Sequence, residues 1–113
     1  MSSAVPNERL GSLIEILGET ETRELVRIYL SSVPKLLKEI AGADRENARR
    51  AAHSLKSSSQ QMGAAEIAAQ AYELEKRLDA NGPAITPLEL SLFQARYKKM
   101  ETVLRPFGGD ATS

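Results

Sequence analysis

Apolar residues recur at steps of three and four along almost the whole chain, and no stretch alternates with a period of two. That periodicity predicts helices and no sheet. The first helix spans about Asn7 to Leu17, with Asn7 as its N-cap, a stripe of Leu10, Leu13, Ile14 and Leu17, and Gly18 as its stop. A second, about Thr20 to Ala41, carries Leu25, Ile28, Tyr29, Val33, Leu36, Leu37 and Ile40 along one seam before Gly42. Pro34 interrupts it, but the stripe stays in phase across the proline, which predicts a bend within one helix rather than two helices. The third, about Asp44 to Met62, holds the chain's single histidine and ends at Gly63. The fourth, about Ala65 to Leu78, buries Ile67, Ala71, Leu74 and Leu78 and stops at Asn81-Gly82-Pro83. In the fifth, Thr86-Pro87-Leu88-Glu89 sets a cap, a first-turn proline and a capping-box glutamate in register. Phe93, Tyr97, Met100 and Leu104 then face the core, and Pro106 closes the helix.

Short connections between long amphipathic helices favour antiparallel neighbours. The predicted fold is all-α: an antiparallel up-down four-helix bundle, with the additional short N-terminal helix lying as a lid across one end. Residues 7–106 form this bundle, and 1–6 and 107–113 are expected to be flexible tails. A chain of 113 residues has room for one domain, and the absence of cysteine excludes a disulfide framework and most structural zinc sites. A cytoplasmic setting fits best. Fifteen basic and fifteen acidic residues cancel, which removes the broad positive field of sequence-independent nucleic-acid binding. No apolar run approaches the roughly 20 residues of a membrane span. Neither nucleic acid nor membrane is therefore an expected partner. Aromatic residues make up 4% of the chain and tryptophan is absent, which leaves little for stacking bases or sugars.

At about 100° per residue, Arg49, Arg50, Lys56, Ser57 and Gln60 share one side of the third helix with His53, and Glu46 lies close by. Ala48, Ala51, Leu55 and Met62 fall on the opposite side, so the imidazole belongs to the solvent-facing surface and not to the core. Helical side chains lean toward the N-terminus, which makes residues 56, 57 and 60 the ones that overhang the ring. Ser57 is small and leaves it open. Lys56 brings an ammonium able to reach a phosphate on the ring, and Arg49 and Arg50 add positive charge one turn back. A neutral imidazole keeps a lone pair on one nitrogen and a proton on the other, which suits a phosphoryl acceptor. The sequence leaves open which nitrogen attacks. For the two arginines, ion pairing with Glu46 is the alternative to a docking role.

The run Ala52-His53-Ser54-Leu55-Lys56-Ser57-Ser58-Ser59, followed by Met62-Gly63-Ala64, resembles the signature of histidine phosphotransfer (HPt) domains, in which A-H-x-L-K-G-S-S leads to L-G-A. The likeness extends over about Leu10 to Leu104 and takes in the proline-interrupted helix, the Ala-Arg-Arg-Ala-Ala run before His53, and Leu74-Glu75. Ser57 stands where the family most often has glycine, and is still small. The resemblance implies that His53 is the phosphorylated residue and that Lys56 balances the phosphoryl charge. It implies as partners the receiver domains of response regulators and a sensor or hybrid histidine kinase. These would dock around His53, with Ala52 and Ser57 giving room, Gln60 at the rim and Arg49 and Arg50 alongside. In several family members a glutamine on the next helix holds the non-phosphorylated ring nitrogen, and here that position is Glu75. A carboxylate can accept the same N–H bond, yet its charge would repel a nearby phosphate; the alternative is a surface ion network of Glu75 with Lys76 or Arg77. No cofactor of the domain's own is implied, magnesium being expected on the receiver, and a monomer suffices for the role.

Three other readings compete. The phosphoacceptor region of a histidine kinase usually has an acidic residue directly after the histidine and a proline soon afterwards, whereas this chain has Ser54 and no glycine-rich phosphate loop. A helical interaction module with an incidental histidine would keep its partner binding and signalling in His53→Gln. A histidine-dependent hydrolase would need a serine or cysteine constellation that the pattern does not offer.

Overall fold

In a computed structural model, residues 5–108 are described, and they form five helices: α1 (Glu8–Leu17), α2 (Glu19–Ile40), α3 (Arg45–Met62), α4 (Ala65–Asp79) and α5 (Pro87–Gly108). The fold is all-α, a four-helix bundle of α2 to α5 with the short α1 added. Cross-helix pairs fix the antiparallel sense. Arg49 and Lys56 of α3 meet Asp79 and Glu75 of α4, while Arg77, Gln70 and Glu66 of α4 meet Glu89, Arg96 and Lys99 of α5. Leu10, Val26, Val33, Leu55, Ile67, Phe93, Leu104 and Phe107 fill the core at 1% exposure or less. Each such side chain contributes on the order of 1.5–3 kcal/mol by leaving water.

On α2 the buried line is Thr22, Val26, Tyr29, Leu30, Val33, Leu37 and Ile40. Ile28, expected in the seam, is 52% exposed instead. It sits about 140° around the helix from the centre of that line, which α3 and α5 cover. Leu25 and Leu36 are half-buried at its edges. The helix passes through Pro34 unbroken. Proline has no N–H to give the Leu30 carbonyl, and the Tyr97 hydroxyl of α5 donates to that oxygen instead, at 2.6 Å.

The α3–α4 turn is tight because Gly63 takes a left-handed conformation (φ 77°) and the Ala64 N–H reaches back to the Ser59 carbonyl. A Cβ at Gly63 would lie 2.5 Å from the side chain of Asn7. Asn7 caps α1 through Leu10 N–H and donates its own amide to Met62 O, and Arg9 donates to Gln60 O. These bonds seat α1 alongside the C-terminal end of α3, where it also packs on α2. Leu10 of α1 is buried, Leu13 and Ile14 are half-buried, and Leu17, expected on the same stripe, is 43% exposed at the helix end.

Helix α5 opens with the predicted capping box: Thr86 Oγ accepts from Glu89 N–H and the Glu89 carboxylate accepts from Thr86 N–H. Its end differs from the expectation. Pro106 does not close the helix, which continues to Gly108. Phe107 is 1% exposed, its ring lies 4.5 Å from the Arg23 guanidinium, and the carbonyls of Phe107 and Gly108 accept from Arg23 and Arg27 of α2. Tertiary contacts of this kind hold the last turn although proline removes one of its donors. Gly108 lies so close to α2 that a Cβ there would approach Val26 to 2.7 Å. The bundle therefore reaches beyond 106. Of the two expected tails, residues 1–4 and 109–113 lie outside the described residues.

Candidate functional site

Helix α3 owes its placement to alanine. Ala48, Ala51, Ala52, Leu55, Ser59 and Met62 form its buried side, and the small residues let α4 approach closely. His53 is turned to the surface by this arrangement, its side chain 55% exposed. Three consecutive serines follow at successive 100° steps and meet three environments. Ser57 faces outward, Ser58 folds back onto the carbonyls of Ser54 and Leu55, and Ser59 is fully buried, sharing a hydrogen bond of 2.8 Å with Tyr29 Oη. Burial pushes the Tyr29 hydroxyl up to about 12, against the lowering effect of its Ser59 bond. The pair stays neutral inside the bundle.

Across the α3–α4 contact, Glu75 is 9% exposed and aims its carboxylate at the His53 ring. Its Oε2 lies 2.7 Å from Nδ1, and its Oε1 lies 3.3 Å from Lys56 Nζ. Burial pushes the Glu75 carboxyl up, but the hydrogen bonds and charges of His53 and Lys56 together outweigh it and hold the group below the usual carboxylate range. An ionised carboxylate only accepts hydrogen bonds, so the proton of a neutral His53 ring belongs on Nδ1 and the lone pair on Nε2. Among the described residues nothing hydrogen-bonds Nε2. Lys56 is half-buried, 5.3 Å from the centre of the Tyr72 ring, which Lys76 also approaches to 5.0 Å.

The sequence-derived candidates separate into two groups. His53, Lys56 and Glu75 come together in one cluster, the ring hydrogen-bonded to the carboxylate and the ammonium ion-paired with it, while Ser57 and Gln60 stand exposed beside it. The alternative partners of Glu75 are engaged elsewhere, Lys76 with Glu73 and Arg77 with Glu89. Arg49 is tied to Glu46 at 2.6 Å and to Asp79 at 3.6 Å; Arg50 is 68% exposed and lies 3.7 Å from Glu46. Ala52 does not belong to the accessible face: it is 0% exposed, because one step back along the helix turns it into the contact with α4. Tyr72, beneath the lysines, and the α1 side of the site were missed. Ile16, 76% exposed, was the available signal, since it falls off the apolar stripe of its helix. Together Arg9, Ser12, Leu13 and Ile16 of α1 and Ser54, Ser57 and Gln61 of α3 line a groove beside the histidine. A second hollow, lined by Lys56, Gln60, Ala65, Ala69 and Tyr72, lies on the α4 side.

An exposed imidazole anchored through one nitrogen, with a lysine at hand and no enclosing cleft, is the pattern on which the family comparison bears. The family model described as Hpt domain matches residues 24–103, well over half of the chain. The chain belongs to the Hpt domain family. Hpt domains serve histidine phosphotransfer in two-component phosphorelays, interact with receiver domains and kinases, and are phosphotransfer modules without kinase machinery. The matched span of this Hpt domain contains His53, Lys56 and Glu75 and leaves α1 outside. No curated protein and no solved structure matches the chain. No helix among the described residues is long and apolar enough to cross a membrane.

Proposed function

We propose that His53 accepts a phosphoryl group from the phospho-aspartate of one receiver domain and passes it to the aspartate of another. The observation that carries this reading is the fixed, half-exposed ring, whose Nδ1 is held by Glu75 and whose Nε2 keeps its lone pair for an incoming group. As Nε2 forms its bond to phosphorus, the acyl P–O bond breaks and the aspartate leaves as a carboxylate. Phosphoryl transfer asks mainly for in-line positioning and charge stabilisation, and Lys56 can swing from Glu75 to the arriving phosphoryl oxygens. Magnesium and the reacting aspartate are assigned to the receiver. Ser57 keeps the approach open, and the groove between α1 and α3 offers the receiver both apolar and polar contacts. A monomeric domain in the cytoplasm suffices for this cycle.

The test is to mix the domain with a receiver phosphorylated on its aspartate and to follow the label. Acid-labile, base-stable label on His53, absent in His53→Gln, is expected. Label that persists in His53→Gln, or that appears on the wild type with ATP alone, would overturn the assignment.

A further inference from the structure

Any hydrogen-bond acceptor at position 75 could orient the imidazole, but the group present is a buried, ionised carboxylate. We propose that Glu75 retains the Nδ1 proton on the phosphorylated ring of His53, keeping the phosphoimidazole cationic and readily discharged. The domain then holds its phosphoryl group briefly and releases it fast. This rests on His53 being the phosphoacceptor and gives Glu75 a positioning role there.

The ring already carries Nδ1–H when Nε2 takes the phosphoryl group, so the product is an imidazolium. Two fates follow. If the Nδ1 proton is shed to solvent, later transfer must expel an imidazolate anion; if it stays, the P–N electron pair returns to Nε2 and neutral imidazole departs. A carboxylate 2.7 Å from Nδ1 favours the second course, since an opposite charge at that distance stabilises the protonated ring.

The surroundings reinforce the effect. From α3, Lys56 is 3.3 Å from the other Glu75 oxygen, while Arg49 is paired with Glu46 and Asp79, and Arg50 with Glu46. From α4 come Tyr72, Asp79 and Glu75 itself. Helix α1 presents Arg9, committed to the Gln60 carbonyl, and α2 meets α3 through the neutral Tyr29–Ser59 pair. Lys56 is thus the one cation besides the ring at ion-pair distance from Glu75 among the described residues, and Arg49 feels the carboxylate from farther off. Once the phosphoryl group draws Lys56 away, the ring is the only group left at ion-pair distance from the carboxylate among the described residues.

Phosphoramidate, a small phosphoryl donor, can load the full chain without a receiver. After its removal, 31P and imidazole 15N signals are followed from acid to alkaline pH in wild type and Glu75→Gln. In the wild type the Nδ1 proton and the fast loss of phosphate should persist to roughly one pH unit or more above Glu75→Gln. That shift gives the variant about tenfold longer lifetime on the alkaline side of its own inflection. Free phosphohistidine titrated in the same buffer supplies a comparison that needs no variant, and the wild-type ring should keep its proton to higher pH. Coincident profiles in either comparison overturn the proposal, and failure of phosphoramidate to load His53 counts against both this role and the phosphoacceptor reading. Failure with a phosphorylated receiver, after successful chemical loading, counts against the relay reading alone.

Discussion

Lys56 rests against Glu75 and beside the Tyr72 ring, and in the proposed cycle it must exchange part of that contact for phosphoryl oxygens. Lys56→Ala is therefore expected to slow phosphoryl arrival from a receiver by on the order of 10- to 100-fold while His53 keeps its Nδ1–H tautomer, as read by 15N NMR. An unchanged rate would remove the lysine from the reaction. At this scale the outward setting of His53 was legible in the sequence, because angular position on one helix follows from the residue number alone. Ala52 and Glu75 were harder. Whether a residue one step from the histidine is open or covered, and whether a glutamate meets the ring or a neighbouring arginine, depends on which helix lies alongside and at what height.

Individual helices show a similar division between local and tertiary causes. The start of α5 was legible from Thr86 to Glu89, since a capping box is built from adjacent residues. Its end was not, because the contacts of Phe107 and Gly108 come from Arg23, Val26 and Arg27, far away in the chain. Phe107→Ala should cost about 3–5 kcal/mol in urea denaturation. A cost below about 1 kcal/mol would mean that the last turn packs too loosely to matter. Tyr97→Phe leaves the Leu30 carbonyl, already deprived of a donor by Pro34, without its hydroxyl partner, and should cost about 1 kcal/mol. Glu89 is held down to about 2, chiefly by its hydrogen bonds from Arg77, with Thr86 adding to them against burial. A depressed carboxyl stabilises the fold fully above its unfolded pKa, and that contribution is lost as pH falls through the folded value. The stability gap between wild type and Glu89→Gln should thus be widest at neutral pH and shrink from about pH 4.3 toward 2.

As a whole molecule, the bundle was readable because four long amphipathic stripes with short links leave few ways to bury them. The seating of α1 was not. It follows from Asn7 and Arg9 reaching carbonyls at the end of α3, and it turns an expected end-lid into a wall beside the histidine. Ile16→Asp should weaken transfer from a receiver several-fold and leave loading by phosphoramidate unchanged; equal losses in both assays would assign the effect to the fold rather than to docking. The serine run after His53 shows how finely the third helix is indexed. A histidine transplanted one place earlier would be sealed against α4, and one place later it would look toward α1, away from its carboxylate. A full-turn move to 57 would restore the outlook but carry the ring about 6 Å along the axis from its anchor. Drift of the reactive position by small insertions or deletions is therefore closed to this domain unless α4 shifts in step.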